Sequence, residues 1–554
     1  MENNKIPKIE FRQISSLEKI RSEQEGLDAK TIEKPILLKG EEFSYQLYIN
    51  CEKNLPFDYN WFKVSVESDL DVKVYDVKNA NMDFPTYENP DDYYITTEPG
   101  LMPDILMPIE EQKNWISVRG YDVLWVKINV PENAEAKDYS IKITLVDRLD
   151  KFTVSDTFTF EVIDAVLPQK GFLYSQFIHL DGISAMHKCE VFSDEFFDYL
   201  DKYIAAAAEA GITDAFTPVI TPAMDTEVGH LRRFTQLVQI EKTAEGYKFD
   251  YTYLKKWFDL CQKHGINNFT ISYLFSQWGS KYSPNILVKE NGELKHMFGW
   301  HVLAKDPKYV EFLKAFVPSL IEYIKSEGLL DRCLFHISDE PVGEQIEDYK
   351  FASDLIRPLL NGCKTIDALS DIEFYNKGLV DYPVCAIDWA EPFLEAKVPN
   401  FVVYYCCAEF KEVSNRFLSM PSARNRIIGL QFFKNNIYGF LHWGFNFYNS
   451  FRSLIEVNPF MTTSGNRTFP SGDAFSVYPG ENGPLLSLRA VVFKEALTDM
   501  YVCRKLSEYI GRDKVIEMIE KEAGMDITFK KYPHGPDFIL NLSRKLKEEI
   551  KKHI

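Results

Sequence analysis

Asp339 and Glu340 close the run Phe335-His336-Ile337-Ser338-Asp339-Glu340-Pro341, in which a short apolar strand runs out into two consecutive carboxyl groups. Adjacent carboxyl groups repel one another when both ionise, so one holds a proton near neutrality and can act as an acid while its neighbour stays charged. Pro341 disfavours helical backbone at the preceding residue, so Glu340 is expected to be extended, with both side chains at the rim of a sheet. An isolated Asp-Glu pair is more often a solvated strand-to-loop junction, and its surroundings are what change that reading.

Those surroundings begin with the elements that must position the pair. From Gly171 the chain alternates strand and helix. Strands are expected at Phe172–Ile178, Ala215–Ile220, Phe269–Leu274, Cys333–Ser338, Thr365–Leu369, Val384–Trp389, Phe401–Cys406 and Gly439–Phe445. Helices are expected near 193–210, 251–264, 307–325, 345–360, 424–434 and 488–506, the first with a Ser193 N-cap and Gly211 beyond its end. Eight such units favour an α/β fold of the (β/α)8 barrel type, with an open doubly wound sheet as the alternative. No Gly-x-Gly-x-x-Gly follows the first strand, which counts against a dinucleotide site. Before residue 167, alternating runs such as Phe43–Ile49, Trp61–Val66, Val123–Val130 and Tyr139–Val146 describe a β-sandwich, with an Asp147–Asp150 hairpin turn. The acidic, Tyr- and Pro-rich stretch Asn81–Gln112 is a long excursion from it. The expected organisation is a sandwich over 1–166, a barrel over 167–510 and a helical extension over 511–554.

In a barrel the chemistry gathers beyond the C-terminal strand ends. Strand one leads to His179 and Asp181, strand two to Asp225 and Arg233, and strand three to Tyr273, Gln277 and Trp278. His336, Asp339 and Glu340 belong to strand four, Asp388 and Trp389 to strand six, Tyr404 and Tyr405 to strand seven, and His442, Trp443 and Asn446 to strand eight. Aromatic rings interleaved with carboxyl groups suit a ligand with an apolar face and a hydroxyl-bearing edge, which describes a sugar.

Composition narrows the partners. The net charge of -19 repels nucleic acid and anionic membranes, so a small neutral glycan fits best. Nine Cys, without C-x-x-C spacing, imply neither a disulfide framework nor a metal site, and Cys333 and Cys406 read as inert core thiols. No HExxH, P-loop or Gly-x-Ser-x-Gly occurs, so neither a metal nor another cofactor is expected. Met1-Glu2-Asn3-Asn4-Lys5 carries no apolar export segment, which leads to an expectation of a cytoplasmic protein, although a chain whose signal had been removed would read the same.

The segments Tyr174-Ser175-Gln176-Phe177, Phe275-Ser276-Gln277-Trp278-Gly279, Phe298-Gly299-Trp300, His336-Ile337-Ser338-Asp339-Glu340-Pro341 and Gly439-Phe440-Leu441-His442-Trp443-Gly444, with the later Gly472–Gly480 loop, resemble glycoside hydrolase family 123 over residues 35 to 510. The resemblance implies a sandwich, a catalytic barrel and β-N-acetylgalactosaminidase activity by substrate-assisted retention. In that scheme the substrate's acetamido oxygen attacks the anomeric carbon, Glu340 protonates the leaving oxygen and Asp339 orients the acetamido group. Tyr405, Trp443 and Trp389 are expected to wall the sugar pocket, with Tyr405 on the acetamido oxygen. Two other readings stay open: a two-carboxylate glycosidase with Asp388 or Glu391 as nucleophile, and a glycan-binding barrel without catalysis. Short oligosaccharides are the expected substrates rather than surface glycolipids.

Overall fold

The structure is a computed structural model that describes residues 8–52, 60–110 and 114–554. The first five residues, and Gln112 at the end of the excursion, lie outside the described residues. Packing divides the chain into two units, one comprising residues 1–170, 411–434 and 485–554, the other 171–410 and 435–484. The first division falls at 170 where 166 was expected, the expected barrel segment 167–510 gives up residues 411–434 and 485–510 to the first unit, and the expected extension 511–554 is part of that unit. Residues 411–434 and all of the chain after 484 pack with the N-terminal sheets.

In the first unit, two five-stranded sheets face each other. One runs in the order Ile9–Ser15, Glu42–Cys51, Tyr121–Asn129, Asp71–Met82 and Gly100–Pro108; the other Ile36–Lys39, Thr153–Val166, Asp138–Asp147, Trp61–Ser68 and Trp115–Ser117. Alternate residues of each strand meet between the sheets. Tyr45, Leu47 and Leu124 from one and Phe62, Ile143 and Phe158 from the other are buried in one cluster, and the Tyr45 and Phe158 rings stack at 4.0 Å. The Asp147 turn forms as expected, its carboxylate accepting from the Lys151 and Phe152 amides at 2.6 and 2.7 Å. Helices Leu488–Ile510 and Pro536–Lys551 complete this unit. The first is held by buried charge pairs, Arg489 with Asp104 at 3.0 Å, and Asp499 and Glu495 with Arg426 at 2.7 and 2.9 Å, and the second by Lys547 with Glu41. The excursion supplies Asp91, which holds Arg424 at 2.7 Å.

The second unit is a closed, all-parallel barrel of eight strands, β1 Leu173–Gln176, β2 Asp214–Thr217, β3 Asn268–Ile271, β4 Cys333–Phe335, β5 Lys364–Ala368, β6 Tyr382–Ala386, β7 Val402–Tyr404 and β8 Gly439–His442. All eight expected strands are present, and pairing of Leu173 with Gly439 and of Gln176 with His442 closes the ring, which rules out the open doubly wound sheet. The strands are shorter than their apolar runs because the last residues of each run leave the ladder to form the rim. Leu173, Phe177, Phe216, Ile366, Val384, Val402 and Leu441 fill the interior. Helix Asp194–Glu209 takes its expected cap, with Ser193 Oγ accepting from the Phe196 amide at 3.2 Å. An additional four-stranded sheet, built from Gln239–Thr243, Gly246–Asp250, Ile286–Glu290 and Glu293–Phe298, comes from the loops around β3 and was not expected. No helix among the described residues is long and apolar enough to cross a membrane.

Closure depends on close approach of β8 to β1. A Cβ added at Gly439 would lie 2.5 Å from the Leu173 carbonyl oxygen, backbone that has no room to yield. Gly439→Ala is expected to lower the thermal midpoint of the barrel by roughly 3–5 °C, as overpacking of about 2–3 kcal/mol does in a domain of this size. Scanning calorimetry checks this, and an unchanged midpoint would mean that the β1–β8 seam is looser than its geometry.

Candidate active site

Three neighbours grip the segment after β4 and so fix the carboxyl pair. Asp367 of β5 accepts from the Ile337 amide at 3.0 and 3.1 Å, contacts His336 Nδ1 at 3.0 Å and accepts the Tyr349 hydroxyl at 2.5 Å. On the other side the Ser338 hydroxyl donates to the Ser276 carbonyl at 2.8 Å, and the Trp278 amide donates to the Asp339 carbonyl at 2.9 Å. The backbone then turns sharply. Glu340 has φ +41°, in the left-handed region, so the extended conformation expected from Pro341 does not occur. Its Oε1 accepts the Tyr404 hydroxyl at 2.8 Å, while Asp339 Oδ1 accepts the Tyr273 hydroxyl at 3.0 Å. Each carboxyl group thus has its own tyrosine.

Both open into a cavity of about 150 Å³, lined also by Asp225, Gln277, Trp278, Cys406, Cys407, Trp443 and Phe469. Asp225 and Trp278 share the left-handed conformation, at φ +38° and +57°, so the strained non-glycine residues of three successive loops meet at one mouth. Asp339 keeps some surface open to the cleft, yet its surroundings desolvate it. Burial first, and the charge of Glu340 second, push its pKa well above the usual carboxylate range, against the opposing pull of the Tyr273 hydroxyl. Burial also raises Asp225, to about 6, with the Arg452 amide and two arginines pulling it back.

Of the residues expected to bind substrate, Tyr273, Asp225, Gln277, Trp278 and Trp443 line this cavity. The others do not. Tyr405 is wholly buried, its ring 4.9 Å from Phe440, and Tyr404 takes the inward place. Trp389 is 62% exposed and stands away from the cavity lining, as do Asp388 and Glu391. His336 is fully buried beneath the cleft, its ring 4.5 Å from Tyr273. Arg233 points outward to Glu456 at 2.6 Å.

His179, Asp181 and Asn446 act as braces. Arg232, passed over in favour of its neighbour, grips Asp181 with two nitrogens at 2.9 and 2.7 Å, meets His179 Nδ1 at 3.0 Å and donates to the Met224 carbonyl at 3.0 Å. Burial, then the Arg232 charge, lowers His179 to about 4, so the ring is neutral. Arg232 donates to its Nδ1, and the protonated Nε2 donates to the Trp443 carbonyl at 2.7 Å. Asn446 pairs with both backbone groups of His179 at 2.8 and 2.9 Å. Together they tie the β1 loop to the wall residue Trp443 and to the Asp225 turn. Cys406 packs against the barrel core, as expected, and also lines the cleft, with its thiol pKa raised well above normal, first by the hydrogen bond with Cys407 and then by burial. Among the described residues, no three His, Cys, Asp or Glu side chains converge as a metal site would require.

Residues 177–506 match the family model of the glycoside hydrolase 123 catalytic domain. The chain belongs to glycoside hydrolase family 123. A solved family 123 glycoside hydrolase from Clostridium perfringens, described for glycolipid glycan hydrolysis, is similar at 15% identity over 98% of this chain and 97% of that one, with a TM-score of 0.68. At that identity the likeness speaks for the fold. A Parabacteroides merdae β-glucuronidase (12% identity, 90% and 52% coverage, TM-score 0.29) and a Rhizomucor miehei family 5 mannosidase (11%, 60% and 94%, TM-score 0.36) are more distant and carry no argument. Comparison with curated proteins found no match.

A raised carboxyl pKa destabilises the fold as pH rises from the unfolded value towards the folded one, because the native state resists losing the proton. Asp339→Asn removes that contribution. The variant's thermal midpoint is expected to gain on the parent's between pH 4 and pH 8, and a constant difference across that range would show that Asp339 ionises normally.

Proposed function

We propose that this family 123 glycoside hydrolase removes β-linked N-acetylhexosamine, preferentially N-acetylgalactosamine, with retention and with the substrate's acetamido group as nucleophile. One observation carries the reading: Asp339 and Glu340 adjoin in a cavity the size of one sugar ring, whereas Asp388 and Glu391 do not line it. A two-carboxylate mechanism needs acid and nucleophile on opposite faces of the ring, and neighbouring residues serve that poorly. They serve better as a donor above the glycosidic oxygen and a partner beside the C2 substituent.

The proton economy of the pair supports these roles. In the free cleft, desolvation favours a proton on Asp339. An acetamido N–H placed beside it, becoming cationic as its oxygen attacks C1, stabilises the Asp339 anion and releases the proton for Glu340 to deliver. Tyr404, bonded to Glu340, keeps the acid aimed. For the aglycone we favour an amphiphile. Val228, Leu231, Phe451, Leu454 and Ile455 are each at least 44% exposed on the loops after β2 and β8, which the Glu227 amide and Arg452 carbonyl join at 3.0 Å.

Glu340→Gln is expected to lower kcat/KM on alkyl glycosides by about 10²- to 10⁴-fold and far less on activated aryl glycosides, which leave without protonation. Equal losses on both would remove Glu340 from the acid's role. Parallel assays on aryl β-N-acetylgalactosaminide, β-N-acetylglucosaminide and β-galactoside test the sugar, and comparable turnover of the galactoside would sink acetamido assistance. A thiazoline that copies the bicyclic intermediate is expected to bind at least about 100-fold more tightly than free N-acetylgalactosamine. Equal calorimetric affinities would argue for another mechanism.

A further inference from the structure

The carboxyl pair accounts for one side of the cleft. A quarter turn round the barrel, the loops after β2 and β3 present a second polar group for which the reaction has no use. Asp225 lines the cavity in a left-handed backbone conformation that costs an aspartate energy and that its surroundings hold in place. The Arg452 amide donates to its Oδ2 at 2.9 Å, and the Ser453 hydroxyl donates to its carbonyl oxygen at 2.7 Å. Gln277, 4% exposed, lines the same cavity. Its Nε2 donates to the Thr226 carbonyl at 3.0 Å, which fixes the amide beside Asp225 and directs its Oε1 elsewhere. That Oε1 is buried and has no hydrogen-bond partner among the described residues. A buried acceptor without a donor is destabilising, so an arrangement that keeps one at a binding cleft points to a donor arriving with the ligand. Trp278, at the mouth between them, offers a flat face, with the Arg452 guanidinium 5.8 Å from its ring.

We propose that Asp225 and Gln277 form a hydroxyl clamp that selects the sugar by its ring hydroxyls at C3 and C4, remote from the reacting centre. Two acceptors side by side suit two neighbouring hydroxyl donors, and Trp278 suits the apolar face of the same ring. This rests on the reading of the cleft as an N-acetylhexosaminide site. With Glu340 at the C1 substituent and Asp339 at C2, the next positions round the ring are C3 and C4. The next polar wall beyond Asp339 is the β3 and β2 side, which holds Gln277 and Asp225. Neither residue exchanges a proton with substrate; they bind and orient it. The strained turn at Asp225 keeps the carboxylate facing the ring instead of the solvent.

The test pairs kinetics with binding. Wild-type protein, Asp225→Asn and Gln277→Met are assayed on aryl N-acetylgalactosaminide and its 3-deoxy and 4-deoxy forms, and calorimetry measures affinity for the corresponding free sugars. Wild type is expected to lose about 10- to 100-fold in kcat/KM on at least one deoxy substrate, the range of a hydrogen bond to a charged group. Asp225→Asn is expected to lose that much on the parent substrate but less than about threefold on the deoxy one it no longer distinguishes, with Gln277→Met showing the same pattern more weakly. Uniform losses on all three substrates would make Asp225 merely a loop support and overturn the proposal. Abolition of turnover with rescue by azide would make it a nucleophile and overturn it as well. If no N-acetylhexosaminide is turned over, the functional reading fails while calorimetry still decides the clamp: discrimination among the free sugars that Asp225→Asn erases sustains it, and its absence ends it.

Discussion

Two carboxyl groups on consecutive residues, one of them stripped of water, resist carrying charge together, and the rim of the barrel is organised round that restriction. Asp367 and the β3 loop hold the backbone of the pair from both sides, and Tyr273 and Tyr404 each claim one carboxyl group. Each carboxyl group therefore keeps its own partner within one fixed frame. Positive charge brought beside Asp339 would favour its anion, so such a frame answers to the charge of a ligand as well as to its shape.

The frame itself rests on polar groups lying outside the cavity. Arg232, Asp181, His179 and Asn446 link the loops after β1, β2 and β8 by direct hydrogen bonds, with the imidazole held neutral so that it can accept on one nitrogen and donate on the other. Strands of three to five residues contribute few ladder bonds at the rim. Side-chain bonds replace them there, which explains why so many polar residues near strand ends are buried without facing substrate.

That distinction limited what could be read from the chain. Apolar runs separated by helical periodicity gave all eight barrel strands and the sandwich, because both patterns record burial directly. The carboxyl pair, Asp225, Gln277, Trp278, Tyr273 and Trp443 were legible because they follow strand ends closely. Which of two neighbours turns inward was not. Phe401–Cys406 is apolar at every position, so nothing in it chooses Tyr404 over Tyr405, and the adjacent Arg232 and Arg233 differ only in whether Asp181 or Glu456 is within reach. At Glu340 the local bias of the following proline lost to tertiary bonds at the Asp339 carbonyl and the Glu340 carboxylate. The additional sheet had a visible mark, Asn291-Gly292, which forms the turn between Ile286–Glu290 and Glu293–Phe298 with both residues at positive φ.

The first unit closes over almost the whole length of the chain. Lys547, near the C-terminus, meets the buried Glu41, and Ser16 donates to Glu495 at 2.7 Å. During synthesis the sandwich strands leave the ribosome before the barrel, yet acidic groups meant for buried pairing wait for cations encoded hundreds of residues later. Until then, Glu41 and Asp104 remain solvated and the faces awaiting helices 488–510 and 536–551 stay uncovered. The barrel's segments are made within that interval. Vectorial synthesis therefore lets the catalytic unit mature before its N-terminal companion, which closes only once helix 536–551 has docked.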